Sequence, residues 1–340
     1  MRCTAPDDSA RLRELLCGHD VRADMGVRYC ACMSKKERSW VGSSLSAETR
    51  DALSFDLSPS QLWSLLLDGM EKRASDRATG DLREQWLKDR FVQPCAVDQR
   101  ALHEIDGHLL AAAAAFEAVE LSPVAPLGVC SSVGLASQNK IVSTVRGTEV
   151  VSDPTNVLAL ECARRLQENS AAHVRLTTNH RCLRAQEIPN KPGFAAHFRM
   201  FCLVSAGHER ENREFTSDAL VEHINTHLSA LKRLAEHGYA IGEQKVRLLS
   251  TAANVQLADR IAAAVSAAHS VSVQRQDLDH PYYDGIRFMI DVRAPNGLQI
   301  PLIDGGAFDW LRKLASNRKR VFVASGMGSQ VVAAVFGKRR

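Results

Sequence analysis

Hydrophobic and polar positions repeat with two different periods along the chain, and the period changes near Pro94. Before that proline, apolar residues recur every three to four positions in 58–76 and 81–91, which predicts two amphipathic helices. Ser58 or Ser60 can cap the first helix. Because proline interrupts helices, we place a boundary there. We predict a poorly ordered extension over residues 1–45, a helical N-terminal region over 46–97 and a core domain over 98–340.

After residue 98, apolar runs with strand-like composition alternate with helical patterns, and Asn296-Gly297 supplies a hairpin turn. Asp153, followed by a proline, is a good N-cap for one of the helices. We predict strands at 140–145, 149–151, 181–186, 197–206, 286–293 and 298–304, and helices at 98–121, from 153 onward, at 214–237 and at 254–268. Strands outnumber crossover helices, so the pattern predicts an α+β fold, an antiparallel or mixed sheet flanked by helices.

The C-terminal stretch "ASGMGSQVV" follows a strand-like run and resembles a phosphate-binding turn. A dinucleotide-binding fingerprint would need a third glycine where the chain has Val331. The antiparallel pattern also differs from the parallel sheet of such domains. The sequence therefore gives no support for a Rossmann or P-loop site.

Composition is that of an ordinary globular protein, with 45% hydrophobic residues and a formal charge of +4. No apolar run reaches the ~20 residues of a membrane span, and no signal peptide is recognisable, so we expect a cytoplasmic protein without membrane contact. The nine cysteines lack paired spacing, which indicates reduced thiols. Four of them lie in residues 1–32, where a zinc site is conceivable. Alternatively, that segment is a loose extension, or translation begins at Met33.

Four ordered segments resemble the core of a class II aminoacyl-tRNA synthetase of the histidyl-tRNA synthetase branch. The helix 98–121 ending in "SPVAP" resembles the dimer-forming first motif, and "EVVSDPTNVLALECARRL" resembles the stretch that follows that motif. "HRCLRAQEIPNKPGFAAHFRMFCLV" resembles the second motif. "HPYYDGIRFMIDVRAPNGLQIPLIDGGAFDWL" resembles the Tyr-Tyr-x-Gly strand and Gly-Gly segment of that branch. "VASGMGSQVVAAVF" stands where the third motif belongs. The resemblance covers residues 98–336.

The resemblance implies ATP and Mg²⁺ as cofactors and an amino-acid-like ligand. It makes Arg184 the catalytic contact to the α-phosphate, a task that suits the planar fork of a guanidinium. The implied ligand-binding residues are Asp153 and Thr155 for the amino group, Gln186 for adenine, Tyr282 and Tyr283 lining the pocket, Gly305 and Gly306 in the loop beneath it, His197, and Gln330.

Each of these residues also has a structural interpretation. Arg184 can be a solvent-exposed strand residue and Asp153 a helix cap, while Tyr282 and Tyr283 can be half-buried strand residues. The two glycines can serve a turn. Capping and turn geometry call for an aspartate and for glycines at these positions even without a ligand.

Several positions depart from the family pattern. Gln330 replaces the arginine that holds the γ-phosphate, and the position of another catalytic arginine falls on Leu278. Met200 and Val204 replace the residues that read a histidine side chain, so we do not expect histidine as the ligand. His223 and His227 are four apart on a helix, but no third ligand is evident. We interpret them as a partly exposed helix face and predict no metal site.

No segment resembles an anticodon-binding domain. A synthetase core without that domain resembles the ATP phosphoribosyltransferase regulatory subunit. We therefore expect a homodimer that does not charge tRNA by the usual route and that binds an amino-acid-like molecule in a sensing or regulatory role. One alternative is an ATP-dependent ligase that activates an amino acid or related carboxylate as an adenylate. Another is an RNA-binding module, for which tRNA would be a partner.

Overall fold

The computed structural model describes residues 45–188 and 192–338. Helices α1 (Ala47–Asp51), α2 (Pro59–Ser75) and α3 (Thr79–Lys88) precede the core, and a π-helical turn, Ala52–Asp56, follows α1. Ser58 caps α2 as predicted. Its hydroxyl accepts from the Gln61 amide, and the Gln61 side chain accepts from the Ser58 amide. Apart from Leu45, the extension predicted over residues 1–45 lies outside the described residues.

The core is built from ten strands and seven further helices within the described residues. The helices are α4 (Gln99–Ala112), α5 (Val129–Ser132), α6 (Pro154–Glu168), α7 (Glu214–Glu236), α8 (Val255–Ala268), α9 (Trp310–Leu314) and α10 (Ser329–Val335). The strands are β1 (Glu117–Ala118), β2 (Val124–Pro126), β3 (Thr148–Val150), β4 (Val174–Leu183), β5 (His197–His208), β6 (Gln244–Ser250), β7 (Ser272–Asp277), β8 (Ile286–Arg293), β9 (Gln299–Phe308) and β10 (Arg320–Met327).

Eight strands form one sheet in the order β1-β4-β5-β10-β9-β8-β6-β7, and β2 pairs with β3 separately. The pairs β1–β4 and β6–β7 are parallel, and the other pairs of the large sheet are antiparallel. Helices pack on both faces of this sheet. The predicted α+β class is confirmed.

Successive side chains of each strand point to opposite faces of the large sheet, so each face has its own apolar core. On the α7 face, helices α4, α7, α8 and α10 pack against the strands, and Ile224 and Phe288 are fully buried there. On the α6 face, α6 and α9 pack against β4, β5 and β10, burying Leu158 and Phe322. The predicted site residues are divided between these two faces of the sheet.

The structure corrects two of the predicted elements. The helix predicted over 98–121 ends at Ala112, because Phe116 turns into the α7-face core and residues 117–118 pair with β4. Residues 140–145 are not a strand. The chain there forms a short helical turn, Gln138–Lys140, and an isolated bridge between Ser143 and Glu149. In both cases a tertiary contact overrides the local preference.

The five described cysteines are free thiols, and four of them are buried: Cys130, Cys162, Cys182 and Cys202. Burial raises the pKa of the Cys162 thiol to about 12 and that of the Cys202 thiol well above its usual range. No helix within the described ranges is both long and apolar enough to cross a bilayer.

Candidate functional site

Arg184 follows β4, and its side chain lies on the α6 face. Its guanidinium stacks over the Phe198 ring, with the carbon 5.0 Å from the centroid, and its Nε donates to the Ser152 carbonyl at 3.0 Å. Its Nη2 is 3.7 Å from the Asp153 carboxylate. The side chain is about one third exposed. The arginine is therefore held by a ring and a carbonyl, with a carboxylate beside it and part of the guanidinium open to solvent.

Asp153 caps α6 and faces Arg184 at the same time. Its Oδ1 accepts from the Thr155 amide at 3.0 Å and from the Thr155 hydroxyl at 2.7 Å, while Oδ2 points to the arginine. Thr155 is buried, so its hydroxyl orients the carboxylate. The predicted capping role of Asp153 is confirmed, and the cap leaves one carboxylate oxygen facing the site.

Tyr282 connects this pair to the rest of the α6 face. Its ring packs against Phe308 and Trp310, with centroids 5.3 and 5.9 Å away. Burial raises the pKa of its hydroxyl, the carboxylates of Asp153 and Asp304 raise it further, and Arg184 opposes them. The charges of Asp153, Asp304 and Arg184 thus all act on this hydroxyl, and Tyr282 belongs to the same site.

Tyr283 lies beside an ion pair that the sequence interpretation missed. Its hydroxyl donates to Asp304 Oδ1 at 3.0 Å, and the Arg287 guanidinium lies 4.9 Å from the centre of its ring. Arg287 donates to both carboxylate oxygens of Asp304, at 2.9 and 2.6 Å. In "IRFMIDVR", Arg287 stands between the buried Ile286 and Phe288. This alternation indicates that Arg287 points to the other face of the strand, and it could have identified the residue.

The two tyrosines and the two glycines differ from their predicted local structures. Tyr282 and Tyr283 lie in a turn before β8, not in a strand, while Gly305 and Gly306 lie inside β9. A Cβ on Gly306 would be 2.6 Å from the Tyr283 ring, and one on Gly305 would be 2.4 Å from the Ser325 Cβ. Close approach of neighbouring groups explains both glycines better than a turn does.

Gln330 and His197 lie away from Arg184, on the α7 face. Gln330 is 1% exposed at the start of α10, and its Oε1 accepts from Arg181 at 3.4 Å. Arg181 also donates to His197 Nδ1 at 2.9 Å, and His197 Nε2 donates to the Gln93 carbonyl at 2.7 Å. The backbone carbonyl of Gln186 accepts from Arg90. The structure therefore separates His197 and Gln330 from the Arg184 site.

These positions do not fit ATP in the pose of the family. The side chain in the γ-phosphate position is an uncharged amide turned to the opposite face, and Arg184 already has a carboxylate beside it. Among residues 45–188 and 192–338, no group of three or more His, Cys, Asp or Glu side chains could hold a metal ion.

His223 and His227 are not the partly exposed helix face that was predicted. Both are fully buried on α7. His223 bonds the hydroxyls of Ser205 and Ser325 at 3.0 and 2.9 Å, and His227 bonds Ser325 at 2.9 Å. The prediction failed because α7 is 23 residues long and covered by the sheet, so polar residues on its inner stripe are buried with their partners.

Comparison with known proteins places this site in a known fold. No protein-family model and no curated protein sequence matches the chain. Solved structures do match. An ATP phosphoribosyltransferase regulatory subunit/histidyl-tRNA synthetase from Bacillus halodurans superimposes with a TM-score of 0.55 at 16% identity, covering 72% of this chain and 81% of that one.

Two further matches belong to the same branch. A histidine–tRNA ligase subunit from Alicyclobacillus acidocaldarius gives a TM-score of 0.52 at 12% identity, covering 71% of this chain and 94% of that one. Histidyl-tRNA synthetase from Nostoc sp. PCC 7120 gives 0.52 at 13% identity, with coverages of 71% and 73%. The chain therefore has a class II aminoacyl-tRNA synthetase fold, similar to histidyl-tRNA synthetases and the regulatory subunit. The predicted resemblance is confirmed at the level of the fold.

Proposed function

We propose that this chain is a class II synthetase-like protein that binds an amino-acid-like zwitterion in a sensing or regulatory role and does not charge tRNA by the usual route. The observation that carries the proposal is the pair formed by Arg184 and Asp153. Opposite charges stand 3.7 Å apart, partly exposed, on a face that also carries Tyr282. An ammonium and a carboxylate on one carbon match such a pair.

Binding would replace one loose ion pair by two charge-assisted contacts. At 3.7 Å the Arg184–Asp153 contact is longer than a charge-assisted hydrogen bond, so separating the two groups costs little. The ligand's ammonium would then donate to Asp153 Oδ2, and its carboxylate would accept from the Arg184 guanidinium. Phe198 and Ser152 keep the arginine in place during the exchange. The site is thus prepared for a zwitterion without rearrangement of the sheet.

A non-catalytic role agrees with the position of Gln330. A protein that forms adenylates must neutralise a triphosphate with fixed positive charges. Here the amide of Gln330 carries no charge and is buried next to Arg181 on the α7 face. The observation that favours the alternative, an adenylate-forming ligase, is Arg184 itself, since it stands where the family contacts the α-phosphate.

The proposal is tested by a thermal-shift screen with individual amino acids, each at about 10 mM, because a ligand that binds only the folded state raises Tm. We expect stabilisation by a subset of zwitterions and none by matching amines or acids alone. Asp153→Asn keeps a helix-capping side chain and removes the charge, so it separates the two roles of this residue. It should weaken binding roughly ten- to hundredfold without lowering Tm in the ligand-free protein.

Arg184→Ala should abolish the ligand-induced shift, whereas Arg164→Ala, on the exposed side of α6, should leave it unchanged. Absence of any zwitterion-dependent shift would contradict the proposal. Amino-acid-dependent pyrophosphate exchange, lost in Arg184→Ala, would instead establish the ligase.

A further inference from the structure

The ion pair of Asp304 and Arg287 lies on the α6 face of the sheet. Asp304 stands opposite Gly326 in the pairing of β9 with β10, and residues opposite each other in an antiparallel pair share a face. A Cβ on Gly326 would lie 2.9 Å from Met200 Cε, and Met200 packs against the core of the α6 face. Asp304 therefore points to the α6 face, together with the arginine that it binds.

Met200 and Gly326 lie between Arg184 and Asp304. Met200 Sδ is 4.0 Å from Arg184 Nη2, and the methyl end of the same side chain reaches Gly326. Met200 belongs to β5 and Asp304 to β9, and β10 is the single strand between them. At about 4.8 Å from strand to strand, β5 and β9 are about 10 Å apart. A small molecule that contacts both Arg184 and Asp304 would thus lie across Met200 and Gly326.

The helices of the α6 face leave Asp304 accessible. Helices α6 and α9 pack against β4, β5 and β10. The Asp304 side chain, on β9, is 42% exposed, and the Arg287 side chain, on β8, is 22% exposed. The ion pair is therefore held in one geometry by its own contacts while its outer edge faces solvent.

The contacts of this ion pair leave hydrogen-bonding capacity for a ligand. Within the described residues, Asp304 Oδ2 accepts from Arg287 Nη2 alone, whereas Oδ1 accepts from Arg287 Nε and from the Tyr283 hydroxyl. A carboxylate oxygen has two lone pairs, so Oδ2 can accept once more. A guanidinium has five N–H groups, and Asp304 takes two of them. The pair thus presents an acceptor and a donor side by side.

We propose that the amino acid bound by Arg184 and Asp153 carries a side-chain carboxamide, which Asp304 and Arg287 select. This inference rests on the proposed function, because the zwitterion at the first ion pair fixes where the side chain begins. The NH2 group of the carboxamide would donate to Asp304 Oδ2, and its carbonyl oxygen would accept from Arg287. The separation of about 10 Å between β5 and β9 favours glutamine over the shorter asparagine.

Other side chains match this ion pair less well. An ammonium would be repelled by Arg287 and a carboxylate by Asp304, and the pair has no net charge that would offset either repulsion. An apolar side chain would exclude water from Asp304 Oδ2 without replacing its hydrogen bond, which costs free energy. A carboxamide joins a donor and an acceptor in one planar group, so it suits both members of the pair.

Calorimetric titration of the full chain with glutamine, glutamate, lysine and methionine tests the selection. We expect the Kd of glutamine to be at least about tenfold lower than that of the other three, since each of them leaves a polar group of the ion pair opposed or unpaired. Glutamate is the sharpest comparison, because it differs from glutamine only in the terminal group.

Asp304→Asn should reverse the order of glutamine and glutamate. The variant leaves Arg287 without its carboxylate, and the side chain of glutamate can supply one in its place. We expect the preference for glutamine over glutamate to fall at least about tenfold. A change in folding alone would weaken both ligands alike, so the reversal separates selection from a structural role.

Asp291→Asn is the matched control. Asp291 accepts from Arg247 through both oxygens, at 2.6 and 2.8 Å, in a second bidentate pair on strands β6 and β8. Arg247 stands opposite Met289, and Met289 stands opposite Asp304, so this pair lies on the same face but further from Arg184. Its loss should leave the preference for glutamine unchanged.

The possible results separate this inference from the proposed function. Equal binding of glutamine and of methionine or glutamate by the wild type would overturn the carboxamide and leave the zwitterion site in place. An unchanged preference in Asp304→Asn would also overturn it. The wild-type series decides the question even if that variant does not fold. Absence of binding by every amino acid would contradict the proposed function and this inference together.

Discussion

Gly306 is the residue on which the position of Tyr283 depends. A Cβ there would be 2.6 Å from the Tyr283 ring and 2.5 Å from the Ile286 carbonyl, and the carbonyl belongs to the paired strand. Neither neighbour can move without disturbing β8 or the turn before it. The glycine is thus required by packing on the α6 face.

We expect Gly306→Ala to destabilise the fold by about 1–3 kcal/mol, the usual cost of overpacking a tight site. Gly107→Ala is the matched control. Gly107 lies inside α4 with nothing within 4 Å of the added methyl, so alanine should stabilise by up to about 1 kcal/mol. Urea unfolding of both variants measures the difference. Equal stability of the two would contradict the packing account.

Arg287 and Asp304 form a bidentate ion pair next to Tyr283. Each has its partner in a neighbouring strand, and the bidentate contact places a neutral pair beside Tyr283. Because Asp304 accepts from both Arg287 and Tyr283, this part of the site is rigid and polar. Arg184 and Asp153 form a looser pair on the same face. A ligand would separate the Arg184–Asp153 pair more easily than the Arg287–Asp304 pair, so Arg184 and Asp153 are the candidate ligand-binding residues.

At the scale of elements, α7 brings two histidines into the core. His223 and His227 are fully buried, and burial lowers the pKa of both, that of His227 to about 3. In the unfolded chain their pKa returns to about 6.5. Below that pH the unfolded chain therefore binds more protons than the folded chain, so stability rises with pH in this window.

The contribution of these histidines should be complete above about pH 6.5 and decline as the pH falls toward 3. At pH 5 the burial of His227 should cost about 2 kcal/mol of stability relative to pH 7.5, and His223 should act in the same direction. Denaturant unfolding at the two pH values measures the loss. His227→Gln keeps a hydrogen-bonding side chain near Ser325 and should lose less stability on acidification. An equal loss in the variant would show that other groups cause the effect.

Local chemistry explains which elements the sequence predicts well. The caps of α2 and α6 depend on Ser58 and Asp153 and their near neighbours, and both form as predicted. The end of α4 depends on Phe116 reaching the core, which lies far away in the sequence. β6 and β7 were not predicted, although "QKVRLLS" alternates as a half-buried strand should.

In the candidate site, too, the features that depend on near neighbours in the sequence were predicted, and those that depend on distant contacts were not. Arg184, Asp153 and Tyr282 lie together on the α6 face. Gln330 does not join them, because the face to which a residue points depends on strand register and on how α10 enters the core. A sequence motif specifies neither the strand register nor the way in which α10 enters the core. Burial of His223 and His227 was missed for a related reason, since spacing alone does not reveal which stripe of a helix is covered.

At the scale of the whole molecule, the class II synthetase fold persists here at 10–16% identity to six of the solved structures that match. The eight-stranded sheet and its two layers of helices account for this persistence, since packing tolerates substitution when volume and pattern are kept. The charged groups on the α6 face are not constrained in that way. Fold and ligand chemistry therefore have to be argued separately for this protein.

The segment 89–97 links the N-terminal helices to the hairpin that carries Arg184. Its side-chain and backbone contacts with that hairpin include Arg90 to the Gln186 carbonyl, the Gln93 carbonyl to His197, and Cys95 to Arg181. All three partners belong to the β4–β5 hairpin or the loop between those strands. Segment 89–97 therefore contacts this hairpin from the α7 face of the sheet, opposite the proposed ligand.

The rates at which the buried cysteines are alkylated should report local opening of the native protein. Alkylating reagents attack thiolates, and Cys162 and Cys202 are both fully buried and have raised pKa values. Their modification therefore requires separation of α6 or of the central strands. Cys95, half-buried beside Arg181, needs only a local displacement of segment 89–97.

Peptide-resolved mass spectrometry of a labelling time course should show Cys95 modified well before Cys162 and Cys202. Equal rates at the three positions would contradict this order. The two phases would give separate opening free energies for the connecting segment and for the sheet, in the native protein and without denaturant.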